Sequence, residues 1–197
     1  MAKVLVLCQR KSGKAQEGEY DVKDVVIPPL QEYVSTIIDL PEFEYMSLGL
    51  VHEKNPDVDY KMALGNNKDE SDAFQSGHED GYHAIVLQSC PIAYFMAASF
   101  PYMYHLLKRQ GRVIITIFNQ KNKRIVDLIK DAILDHDFAN EFFRYFTVIS
   151  PGVYQKRDEI LTLEMAQAEV ERLKHSGKRK KKSKRRKSKQ FKRVKRR

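Results

Sequence analysis

Short apolar runs alternate along the chain with segments whose apolar residues recur at helical spacing. Val4-Leu5-Val6-Leu7 is a continuous apolar run, the pattern of a strand covered on both faces. A basic loop follows. Asp21 is placed to cap a helix with Asp24 in its first turn, Pro28-Pro29 interrupts it, and the regular helix starts there. Leu30, Tyr33, Val34, Ile37 and Ile38 form its apolar stripe. Asp39-Leu40-Pro41 ends that helix, and Phe43 to Leu48 reads as a second strand. Residues 49–81 are turn-rich, with a short helix around Asp72-Ala73-Phe74 and room for a hidden strand.

The second half is more legible. "YHAIVLQSC" (82–90) reads as a strand, and Pro91 suits the first turn of a helix. Residues 92–109 are apolar almost all round, with Ser99 and Pro101 marking two successive pieces. Gly111 is expected just past the helix end, before a buried strand at 112–118. An amphipathic helix is expected over 123–135, then a short aromatic one carrying Phe138, Phe142 and Phe143. "FTVIS" (146–150) and "VYQKR" flank the turn signal "SPGV", which predicts an antiparallel return. Leu163, Ala166, Val170 and Leu173 give the final helix, 159–175, a narrow stripe that fits either the sheet or a partner helix. Strands alternating with helices predict an α/β, Rossmann-like three-layer sandwich. Its sheet is mostly parallel and closes with a C-terminal antiparallel hairpin.

Charge divides the chain. Of 197 residues, the last twenty hold 15 Lys or Arg and no acidic residue. That leaves 20 of the 35 basic residues and all 26 acidic ones in residues 1–177, a net charge of −6 beneath the overall +9. The organisation expected is a Rossmann-like domain over 1–157, a C-terminal helix within 158–177, and a disordered basic tail over 178–197. No apolar run approaches the ~20 residues that span a bilayer, and no signal peptide is visible, so an intracellular, non-secreted protein is expected. Cys8 and Cys90 suit a reducing compartment. The six histidines show no metal-ligand spacing, and no metal is expected.

"YHAIVLQSCPIAYF", "YHLLKRQGRVIITIFN" and "FTVISPGVYQKR", in that order, resemble class I S-adenosylmethionine (SAM)-dependent methyltransferases. In that family a helix reading like "LLKPGGRLVI" enters a strand, and the sheet closes with an antiparallel hairpin. The likeness covers residues 82–157, with Gln110 in place of the first glycine. It implies the Rossmann-like fold, SAM as cofactor, and a ribose-binding carboxylate after the second strand, at Glu53. The cofactor motifs themselves depart from the family. The first strand ends at Leu7-Cys8 with no acidic residue, its loop has only Gly13 and Gly18, and "SCPI" (89–92) is a remnant of the Asn/Asp-Pro-Pro-aromatic motif. The opening also resembles the starts of reading frames in large DNA viruses, over one loop only.

The candidate ligand residues are Arg10, Lys11, Ser12, Gly13 and Lys14 after the first strand, with Ser89 and Cys90 after the strand at 82–90. Cations and free backbone N–H groups at the carboxyl end of a strand suit an anion. The plain alternative is a solvated connector. The loop also echoes the Cys-x₅-Arg-Ser motif of low-molecular-weight tyrosine phosphatases. However, Lys14-Ala15 stands where that motif needs a bidentate guanidinium and a hydroxyl, so Cys8 and Cys90 read as small hydrophobes. His83 and His105, in apolar contexts, read as satisfied core or boundary residues rather than catalysts. No catalytic residue is assigned, and whether a reaction occurs stays open.

The tail carries the clearest chemistry. Lys178, Arg179, Lys180, Lys181, Lys182, Lys184, Arg185, Arg186, Lys187, Lys189, Lys192, Arg193, Lys195, Arg196 and Arg197 suit counterion release from DNA or RNA, and also nuclear import. The expectation is a nucleic-acid-associated protein, in the nucleus or where nucleic acid is packaged, with a degenerate nucleotide- or SAM-binding domain. The alternative is a non-catalytic virion or nucleoprotein component that keeps only the fold.

Overall fold

The computed structural model describes residues 1–7, 34–40, 42–49, 59–88, 97–116, 133–134, 137–150 and 152–175. Among these residues, seven strands form one sheet: β1 (Ala2–Leu7), β2 (Phe43–Gly49), β3 (Tyr60–Lys61), β4 (Tyr82–Gln88), β5 (Leu107–Thr116), β6 (Phe146–Ser150) and β7 (Val153–Lys156). Their spatial order is β3-β2-β1-β4-β5-β7-β6. The pairs β1–β2, β1–β4, β2–β3 and β4–β5 are parallel, and β7 runs antiparallel between β5 and β6. The helical residues are α1 (34–38), α2 (Lys68–Ser76), α3 (Ser99–Leu106), α4 (Ala139–Tyr145) and α5 (163–175), with a further turn at 133–134. This is the Rossmann-like α/β architecture expected, parallel at its centre with the antiparallel hairpin at one end.

The period-2 geometry of a strand explains why the central runs are wholly apolar. Val4 and Val6 of β1, Ala84 and Val86 of β4, and Ile114 of β5 pack on one face, against Val34 of α1 with Ile37 and Ile38. The residues between them, Leu5, Ile85, Leu87, Val113 and Ile115, point to the other face. There they meet Phe74 of α2, Phe100 and Met103 of α3, Phe142 and Phe143 of α4, and Ala166 and Val170 of α5. Both faces of the central strands are covered by packed side chains, as parallel strands require.

Three local features correct or extend the sequence reading. The turn-rich stretch 49–81 contains both a strand, β3, and a helix, α2, longer than expected. Asn67 caps α2 by accepting from the N–H groups of Asp69 and Glu70, at 3.1 and 3.5 Å. Just before it, Gly65 sits at φ +80° with its backbone against α3: a Cβ there would lie 2.5 Å from the Ala98 carbonyl. Only glycine fits that approach.

The second correction concerns Gly111. It does not end the helix: α3 stops at Leu106, and Leu107 is already extended and buried. Tyr82 pairs with Leu107 and Ala84 with Arg112, so two steps along β4 face five along β5. The surplus "KRQ" stretch bulges out, and Gln110 makes the turn at φ 61°.

The third is how α5 docks. The Arg157 Nε–H group donates to the carbonyls of Phe143 and Phe146, at 3.0 and 3.2 Å, and its Nη2 meets the Glu169 carboxylate at 2.5 Å. One guanidinium thus closes the α4–β6 junction and holds α5, whose Ala166 and Val170 are buried in the main core. The expected helix at 123–135 lies outside the described residues except at Ile133 and Leu134, which are helical and buried.

Candidate functional site

From β1 the chain moves outward to β2 and β3, then returns to β4 on the opposite side of β1 and continues to β5. Connections leaving the carboxyl ends of β1 and β4 therefore diverge, and such a reversal point is where open α/β sheets bind ligands. Leu7 and Leu87 face each other across that junction. Arg10, Lys11, Ser12, Gly13 and Lys14 follow β1 in the chain, and Ser89 and Cys90 follow β4. All seven lie outside the described residues, as do Cys8, Glu53 and the tail cations from Lys178 to Arg197. Chain continuity alone starts the two candidate segments at the same edge.

The described wall of this edge is built by β2. Ser47 is buried, and a buried hydroxyl needs a partner. Asp59, just ahead of β3, supplies it: its Oδ2 accepts from the Ser47 N–H at 2.9 Å and from the Ser47 Oγ–H at 3.1 Å. The Asp59 N–H returns a bond to the Ser47 carbonyl at 3.1 Å. Sequence reasoning missed this clasp, because "NPDVDY" read only as a turn. The available signal was a serine inside an otherwise apolar stretch, Tyr45-Met46-Ser47-Leu48. Asp59 thus braces β2 against β3, and Leu7, half-buried and apolar, closes β1 without a carboxylate. The described residues of this edge do not form a SAM-binding carboxylate set, and no catalytic step follows from them.

A second concavity, of about 220 Å³, opens at the opposite, amino edge of the sheet. Lys3 and the stretch from Ser76 to Tyr82 line it. Several of its polar groups are paired: Lys3 meets Asp80 at 3.2 Å, and the His78 Nδ1–H donates to the Phe74 carbonyl at 2.8 Å. His83 Nδ1 accepts the Lys3 N–H at 3.1 Å. Burial, and secondarily the Lys108 charge, hold the His83 pKa below the usual imidazole value, which keeps it the acceptor this bond requires. His83 is thus a satisfied boundary residue, as expected, whereas His105 is on the solvent side of α3.

Lys156 is more unusual. Its ammonium donates to the Leu107 carbonyl at 2.6 Å and lies 4.5 Å from the Tyr104 ring centre, and burial lowers its pKa. It ties β7 to the start of β5 and is directed away from the crevice edge. Among the described residues, no three His, Cys, Asp or Glu side chains converge as a metal site. No helix among them is long and apolar enough to cross a membrane.

No protein-family model matches the chain, and no curated protein sequence matches it. Among solved structures, the chain is similar to the MycE methyltransferase from the mycinamycin biosynthetic pathway in complex with Mg and SAH. That match has a TM-score of 0.40 and 11% identity, over 81% of this chain and 45% of that one. The same enzyme in complex with Mg, SAH and mycinamycin VI gives 0.39 and 12% identity over the same shares. The chain thus spans less than half the length of these proteins, and neither lends support to the likeness to viral reading frames. The strand order and the paired strand register of the chain itself establish what it is: a mixed α/β protein with a Rossmann-like sheet closed by an antiparallel hairpin.

Proposed function

We propose that this is a nucleic-acid-associated protein. In this reading a methyltransferase-like Rossmann domain is held on DNA or RNA by its polybasic tail, and the β1/β4 crevice is the place for a nucleotide or SAM-like ligand. The observation that carries it is the separation of charge: 15 cations and no anion in residues 178–197, against a net −6 in residues 1–177. A phosphate backbone is the polyanion that rewards such density, through counterion release rather than shape. The nucleus, or a site of nucleic-acid packaging, is the corresponding location. The absence of an acidic residue at Leu7-Cys8 and the sparse glycines of the following loop favour a second reading, a non-catalytic nucleoprotein component that keeps only the fold.

A salt titration of duplex binding by the full chain tests the first claim. Each phosphate neutralised contributes about −0.9 to the log–log slope, so about six tail contacts give a slope near −5. A flat titration sinks the reading.

The ligand site has its own test. Changing Arg10, Lys11 and Lys14 together to Ala is expected to remove nucleotide or SAM binding measured by calorimetry. It should shift stability by only ~0.5 kcal/mol, as exposed loop substitutions do. A full chain that binds neither ligand at millimolar concentration favours the non-catalytic reading. Unchanged affinity in the triple variant makes the loop a connector.

A further inference from the structure

The segment 158–171 holds Asp158, Glu159, Glu164, Glu169 and Glu171 and no Lys or Arg. Most of these carboxylates are already engaged. Asp158 meets Arg109 at 3.5 Å, Glu169 meets Arg157 at 2.5 Å, and Glu171 meets Lys174 and His175 at 3.4 and 3.7 Å. Glu159 and Glu164 have no ion-pair partner among the described residues. Beside them, Ile160 and Leu163 are 42% and 48% exposed, although the helix buries Ala166 and Val170 one turn on. At 100° per residue Glu164 lies nearly opposite that buried stripe, and Leu163 lies on its flank, in line with Gln167 and Glu171. Residues 158–171 thus present carboxylates and no cation, with Ile160 and Leu163 left open beside them, and the first cation of α5 is Arg172, 3.9 Å from Glu169.

We propose that the basic tail of the same chain docks along this outer side of residues 158–171, and that nucleic acid competes with it for the tail. The docking stands on charge and reach, while the competition rests on the nucleic-acid reading above. A second copy of the acidic face would repel the first, whereas the tail has the opposite sign throughout. It begins three residues beyond the end of α5 at His175. Returning from His175 to Leu163 means about 18 Å along the helix, and the residues from 176 to Phe191 reach up to about 50 Å when extended. The only apolar residues of the tail, Phe191 and Val194, suit the open positions at Ile160 and Leu163. Each exposed ion pair is weak, so the contact draws on several at once and on the high effective concentration of a tethered segment. The consequence is selectivity: a weak or short polyanion fails to displace the domain, and a long one succeeds.

Carbodiimide coupling of the full chain, which joins an amine to a carboxylate in ion-pair contact, tests the docking. The expected products are monomers in which a lysine of 178–195 is joined to Glu159 or Glu164, and which disappear when a duplex oligonucleotide is added. Joining mainly to Asp69, Glu70 and Glu79 around α2, or only within dimers, overturns it. The second measurement is duplex affinity of the full-chain double variant Glu159→Gln/Glu164→Gln, expected to rise about fivefold as two exposed pairs are lost. The variant Asp69→Asn/Glu70→Gln, with the same change in charge, is expected to rise less than about twofold. Equal gains in the two reduce the effect to general repulsion and overturn the proposal. If the coupled monomers form but the chain binds no nucleic acid, the functional reading falls and the docking stands.

Discussion

A chain truncated after Gly177 is expected to stay folded and, on the proposed reading, to lose nearly all nucleic-acid affinity. The deleted segment contains two apolar residues, Phe191 and Val194, and so contributes almost nothing to a core. The sheet, its two packed faces and the Arg157–Glu169 closure of α5 all lie within residues 1–175. Thermal unfolding of the truncated chain is therefore expected within a few degrees of the full chain. Binding is another matter. A tail making about six phosphate contacts carries a salt dependence worth about a thousandfold in affinity between 50 and 200 mM salt. Without it, the remaining domain has a net charge of −6 and repels the duplex. Affinity and salt slope should fall together, with no preference for sequence before or after, because phosphate contacts position a protein without reading bases. A truncated chain that binds as tightly and as salt-sensitively as the whole places the interface on the folded surface and leaves the tail an import signal.

Phe142→Ala is the largest single loss of stability expected. Phe142 is fully buried, and its ring meets Phe100 at 5.3 Å, Phe143 at 5.6 Å, and Phe146 and Tyr154 each at 4.9 Å. Those partners come from α3, α4, β6 and β7, so one ring joins the antiparallel hairpin to the helical layer. Truncating such a residue removes its transfer free energy and leaves a cavity that rigid aromatic neighbours fill poorly, at about 3–5 kcal/mol. For a domain of this size that corresponds to a fall in Tm of roughly 10 °C or more. Ile149→Ala provides the contrast. Ile149 is 51% exposed at the end of the edge strand β6, and its loss should stay near ~0.5 kcal/mol. Urea unfolding followed by circular dichroism decides between them. A Phe142→Ala loss below ~1 kcal/mol means that the aromatic cluster does not hold the hairpin.

The parts of this fold that were legible in the sequence share one physical property: their local pattern and their tertiary environment agree. Val4 to Leu7 and Ala84 to Leu87 are apolar on every residue because both faces of the sheet are covered, and no other placement suits such a run. Phe146 to Lys156 announces its hairpin through a turn whose Gly152 sits at φ 76°. The charge division at residue 177 is visible because it is composition, and the nucleic-acid reading depends on that alone.

Other features had no local signature. That β7 would insert between β5 and β6 is a matter of pairing partners, and a strand carries no label for its neighbour. β3 is two residues long, too short for any period, and exists because Asp59 clasps Ser47 beside it. "LLKRQGR" read as a helix ending at glycine, yet the chain turns at Gln110, because Leu107 gains more by entering the core as strand than by extending α3. The sequence by itself determined the layers, the two core faces and the basic tail, since each follows from residue type and spacing. Only the tertiary structure decided the strand order, the switch point between β1 and β4, and that Glu159, just before α5, and Glu164 within it have no ion-pair partner among the described residues. All three depend on which distant segments meet, and chain-local periodicity contains no information about that.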